Sequence, residues 1–137
     1  MNSDDVAQLV RLRIEQAEGV LRDAKFLMDR GGTSESIVDR TYFAMFYAVL
    51  AALQGIGHGP RKHRVAIGLF HTEFVLKGVF TKEMSADLHS VFDLWQEAEY
   101  NMAKPAAMEN AEVPYDKAAL FVQAMKDHLL PAMAGVE

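Results

Sequence analysis

At 137 residues, half of them hydrophobic and about a quarter charged, the chain can bury a core and is too apolar to be disordered. It has no cysteine, which excludes a disulfide framework and thiolate metal sites and fits a reducing cytoplasm. The net charge of −5 argues against broad electrostatic contact with nucleic acid.

Five helical segments are expected, with no strand pair, in one domain over residues 1–137 whose core runs from about residue 4 to 130. The opening Asn2, Ser3, Asp4 and Asp5 replace the basic region and apolar run of a signal peptide. The first helix is predicted from about Asp4 to Asp29. Ser3 caps it, Asp4 and Asp5 suit the positive end of its dipole, and Gly31-Gly32 stop it. Val6, Val10, Ala17, Leu21, Ala24 and Met28 share one face.

The second helix starts near Ser34 and ends before Gly55-Ile56-Gly57. From Tyr42 to Leu53 it is apolar nearly all round, too short a run for a membrane span, which needs ~20 residues. A central helix is the better reading, touching its sister helices, with a second subunit as a further candidate contact. A loop from Gly55 to Pro60 precedes a third helix, roughly Lys62 to Lys77. Thr81 caps the fourth, on which Met84, Leu88, Val91, Trp95 and Ala98 follow helical spacing. Lys104, Pro105 and Glu109 to Glu112 fall in a polar connector. The fifth helix, Tyr115 to about Leu130, has Pro114 in its first turn and Pro131 at its end. Long amphipathic helices with short connections predict an all-α, up-and-down four-helix bundle with an additional short helix.

Several chemistries are excluded by spacing. A di-iron bundle needs Glu-x-x-His pairs, and none of the five histidines follows an acidic residue by three, so no metal is expected. The glycines lack a following Lys-Ser/Thr for a phosphate loop, and no Ser nucleophile elbow is present. No cofactor is expected.

Three features remain. Arg40 precedes the apolar run, so its guanidinium needs an acceptor if buried; Glu97 and Glu99 are candidates, and Tyr100 can share the network. The alternatives are a structural ion pair fixing helix register and a polar groove for a phosphate or a partner's side chain. Arg61, Lys62, His63 and Arg64 form the one dense basic cluster. They are either a solvated helix end or a phosphate contact, and cations at a helix start carry a cost of ~0.3–1 kcal/mol. Any contact with RNA must be local: residues 1–80 hold ten Lys/Arg and nine Asp/Glu, while residues 81–137 hold four and ten. Trp95 lies on the apolar stripe, where core packing is the default and nucleotide stacking the alternative.

The run Asp39-Arg40-Thr41-Tyr42-Phe43-Ala44-Met45-Phe46, with His63 opening the third helix and Ala98-Glu99-Tyr100 closing the fourth, resembles the HEPN domain family. The resemblance covers about residues 5 to 130 and is closest to the small stand-alone prokaryotic members. It implies a dimeric helical bundle, often paired with a minimal nucleotidyltransferase as a toxin–antitoxin module. It also implies, for active members, a metal-independent ribonuclease with an Arg-x(4–6)-His motif at the dimer cleft. Such a motif supplies a cation for phosphorane charge and a carrier for the proton. Here Trp95 stands in place of the Arg and Tyr100 where a His would serve. The other spacings offer no substitute: Arg64 and His71 are seven apart, Arg61 and His63 two.

The expectation is therefore a cytoplasmic, homodimeric binding or regulatory subunit with a degenerate ribonuclease site, partnered by a minimal nucleotidyltransferase. An active ribonuclease toxin using Arg40 or His63 and a nucleotide-binding module are the alternatives.

Overall fold

The computed structural model describes residues 2–100 and 110–134. Five α-helices follow in order: α1 Ser3–Asp29, α2 Ser34–Gly55, α3 His63–Phe70, α4 Lys82–Tyr100 and α5 Glu112–Ala134. No strand occurs among the described residues. The expected connector residues Lys104, Pro105 and Glu109 lie outside them.

Cross-helix contacts fix the directions. The Arg13 Nε–H donates to Gln54 Oε1 at 3.2 Å, so the start of α1 meets the end of α2. The Trp95 indole reaches Asp39, setting α4 antiparallel to α2. Lys117 Nζ donates to Ser90 Oγ at 3.3 Å, and Lys126 pairs with Glu18 at 3.0 Å, which completes the bundle with α5 against α4 and α1. Four long helices alternate up and down, and α3 is the additional short one, as the helical periodicity predicts.

The α2 helix touches each of the other four. Thirteen of its residues are buried, and the core they anchor includes Ile14 of α1, Phe70 of α3, Leu88 of α4 and Phe121 and Met125 of α5. By length and hydropathy α2 could cross a bilayer, yet it sits at the centre of the bundle. Its apolar excess is thus absorbed within one chain, and that excess alone does not call for a second copy.

Several boundaries differ from the expectation. Asn2, not Ser3, caps α1: its Oδ1 accepts from the Asp5 N–H at 2.9 Å, because only a residue outside the helix can turn its side chain back to the first free amides. The third segment is not one α-helix from Lys62 to Lys77. Lys62 is its N-cap, and after Phe70 the chain widens into a π-helical turn, His71–Val75, closed by the Leu76 N–H on the His71 carbonyl at 2.9 Å. The fifth helix begins at Glu112, three residues before Tyr115. It also continues through Pro131 to Ala134. The carbonyl that loses its N–H partner there belongs to Asp127, which is exposed, so water can take the bond. The α2 helix runs one residue past its expected end, to Gly55, while Thr33 Oγ1 caps its start, Thr81 Oγ1 accepts from Met84, and Gly31 turns left-handed at φ 74° after α1.

Candidate functional site

Two helical stripes meet the start of α3. On α2, Asp39, Tyr42, Phe43 and Phe46 recur at the spacing that shares a face. On α4, Phe92, Trp95, Gln96 and Glu99 do the same. The Gly55–Pro60 loop returns the chain so that His63, the first residue of α3, enters between them.

The rings form one packed cluster. Tyr42 stacks on Trp95 with centroids 4.6 Å apart, and His63 stacks on Phe46 at 4.2 Å and on Trp95 at 5.3 Å. Phe43 meets Trp95 edge-on at 5.7 Å, a geometry favoured by the ring quadrupoles. Tyr42 is fully buried, while Trp95, Phe43 and His63 are half-buried.

Within the cluster the Tyr42 hydroxyl lies 2.6 Å from His63 Nδ1. Burial pushes the Tyr42 phenol well above its ordinary range and pulls the His63 imidazole below 6.5. The phenol therefore keeps its proton and donates it, Nδ1 accepts, and the imidazole proton resides on Nε2. His63 is a neutral ring held in place, not a fourth cation of the basic cluster. Arg61, Lys62 and Arg64 stay exposed. Arg64 reaches back, donating to Gln96 Oε1 at 3.3 Å and lying 5.5 Å over Phe92.

Asp39 joins the cluster to Arg40. Its Oδ1 accepts the Trp95 Nε1–H at 3.0 Å, while its Oδ2 accepts from the Arg40 guanidinium at 2.8 and 3.3 Å. Arg40 thus pairs with its own neighbour, not with Glu97 or Glu99. The half-exposed pair needed no distant acceptor, because Asp39 at the edge of α2 can swing alongside.

The other anticipated residues divide between two hollows. Arg40, Asp39 and Glu99 line an open groove of about 410 Å³ with Glu35, Ser36 and Leu27. Glu97 faces away, into a hollow of about 430 Å³ between α4 and α5 beside Asp93, Leu94, Val113 and Lys117. The Tyr100 side chain lies outside the described residues. No group of three His, Asp or Glu side chains among the described residues is placed to hold a metal.

Chemically, the described residues offer the Arg40 guanidinium occupied by a carboxylate, a neutral imidazole occupied by a phenol and an indole with its N–H engaged, with the Arg64 guanidinium over Phe92 at the edge. Sequence reasoning missed Asp39, Tyr42, Phe46 and Phe92 as members. Their signal was present in the spacing of α2 and α4, and was hidden because both helices are apolar enough to read as core.

The HEPN domain family matches residues 10–128. The chain is 32% identical over 118 residues to a "UPF0332 protein" of Archaeoglobus fulgidus, covering 86% of this chain and 93% of that one. It is 28% identical over 125 residues to a Methanocaldococcus jannaschii protein named "putative toxin", covering 91% and 92%. A "UPF0332 protein" of Thermotoga maritima is 31% identical over 111 residues, covering 81% and 83%.

Proposed function

Given that the chain belongs to the HEPN domain family, we propose that it is a toxin-like member whose cleft binds RNA and is poorly equipped to cut it. It acts on this reading as the binding or regulatory subunit of a toxin–antitoxin-type module, a cytoplasmic homodimer partnered with a minimal nucleotidyltransferase. The toxin-like assignment draws on the name given to the Methanocaldococcus relative.

One observation carries the reading. The position where the resemblance implies a catalytic arginine holds Trp95, and Asp39 anchors that indole in the packed cluster. An indole N–H cannot neutralise a phosphorane, and its donor is already engaged. His63 is engaged by Tyr42, and burial lowers its basicity further. Ribonuclease chemistry would need a cation and a proton carrier converging on one phosphate. Among the described residues, these contacts direct each candidate to an internal partner. Binding is better served: Arg61, Lys62 and Arg64 are exposed at the start of α3, where the helix dipole also favours phosphate.

The test is retention of a labelled RNA hairpin measured by fluorescence anisotropy, with the Arg61→Ala/Lys62→Ala/Arg64→Ala triple variant alongside. Retention that falls with salt and is lost in the triple variant supports the reading. No retention by the wild type removes RNA as the ligand. For the module, co-expression with a small nucleotidyltransferase encoded next to this gene should yield a stable complex on size exclusion.

A further inference from the structure

Asp39 does more in this structure than hold a helix edge. It hydrogen-bonds both Arg40 and Trp95, one through each carboxylate oxygen. Arg40 is half-exposed and borders the open groove of about 410 Å³, so a ligand phosphate could reach it. What stands in the way is an anion already in place. Two N–H groups of the guanidinium, Nε and Nη2, converge on the single Asp39 oxygen Oδ2, so the donors with which arginine grips a phosphate are already engaged.

We propose that Asp39 is an internal counter-anion that sets the specificity of the cleft, holding Arg40 away from RNA phosphates so that binding is confined to the exposed basic corner of α3. The inference rests on the RNA-binding reading and names the residue that limits it. Two further features support it. Glu35 and Glu99 line the same groove, so a phosphate entering it meets three carboxylates and one guanidinium. Asp39 is also fixed from its far side by the indole N–H at 3.0 Å, which keeps the carboxylate from rotating away when a competing anion arrives. Trp95 in place of a guanidinium has a second consequence here: among the described residues it leaves Arg40 as the one cation paired with Asp39, and the pair neutral.

The experiment is the anisotropy titration of the full-length protein with a labelled RNA hairpin, across a salt series, for the Asp39→Asn variant. Asparagine keeps an oxygen for the indole N–H and loses the charge, and thermal melting with Trp95 emission reports that the cluster is intact. The expected result is about two- to five-fold tighter binding at low salt, the range of a partly exposed ion pair. The salt slope should steepen by roughly 0.7–0.9, one added phosphate contact. Both changes should vanish in Asp39→Asn/Arg40→Gln. Glu99→Gln removes one carboxylate from the same groove without releasing Arg40, and should give less than half the gain.

An unchanged affinity in Asp39→Asn overturns the inference, as does a gain that survives loss of Arg40 or is matched by Glu99→Gln. In those cases the RNA-binding reading stands, with wild-type retention intact. Absence of binding by wild type and Asp39→Asn alike overturns both.

Discussion

The Tyr42 hydroxyl and His63 Nδ1 lie 2.6 Å apart, joining the centre of α2 to the first residue of α3. This bond explains why a histidine flanked by Arg61, Lys62 and Arg64 turns inward while its neighbours face solvent. It also fixes the tautomer, since a buried phenol is a donor across the physiological range.

A pH dependence follows. Burial lowers the His63 pKa in the folded protein from its ordinary 6.5, so the unfolded chain binds more protons in the window below that value. The contribution of His63 to stability is therefore complete above about pH 6.5 and is lost as the pH falls through the folded value. Trp95 is the one tryptophan in the chain and stacks on His63, and an imidazolium quenches indole emission. Emission should drop on acidification with a midpoint below 6.5. In Tyr42→Phe the neutral imidazole loses its donor, and the midpoint should move up. A midpoint at or above 6.5 would contradict the assignment.

Trp95 and Asp39 should be energetically coupled. Trp95→Phe keeps most of the ring packing and removes the donor to Asp39. The acceptor is partly exposed, so water replaces some of the bond, and the expected loss is about 1 kcal/mol. In a double-mutant cycle with Asp39→Asn, denaturant melts should give a coupling of roughly 0.5 kcal/mol or more. Strict additivity would mean that the bond contributes nothing.

The bundle core predicts a sharp contrast between two leucines. Leu53 on α2 is fully buried, and Leu53→Ala should destabilise by about 2–5 kcal/mol through lost transfer energy and the cavity left. Leu120 on α5 is 73% exposed, and Leu120→Ala should stay within about 0.5 kcal/mol. Chemical denaturation measures both.

Two glycines should respond in opposite directions. Gly68 sits inside α3 with open space around an added Cβ, so Gly68→Ala should stabilise by about 0.5–1 kcal/mol. Gly78 has φ +77° in the turn before α4, where a side chain is strained, and Gly78→Ala should destabilise by about 1 kcal/mol.

These particulars indicate what was legible in the sequence. The helices and their order follow from periodicity and caps, because apolar spacing on Val10, Leu88 or Met125 is the same information that packing uses. Boundaries were less legible where neighbouring residues compete for one role. Asn2 and Ser3 can both cap α1, and only chain direction into the helix decides. The π-helical turn leaves no signature in composition, since His71 to Val75 reads equally well as the end of an α-helix. At the site, Arg40, Trp95 and His63 could be picked out, but their partners could not. Asp39 is next to Arg40 in sequence, and adjacent residues on a helix usually diverge. Long side chains at a half-exposed edge overcome that divergence, as the Asp39–Arg40 pair does.

A cleft built in this way should hold an RNA strand without cutting it. A structured RNA incubated with protein in excess, with divalent metals chelated, should remain full length on a denaturing gel over hours, while anisotropy reports it bound. Cleavage under those conditions, abolished by His63→Ala or Arg40→Gln in protein that remains folded, would contradict it.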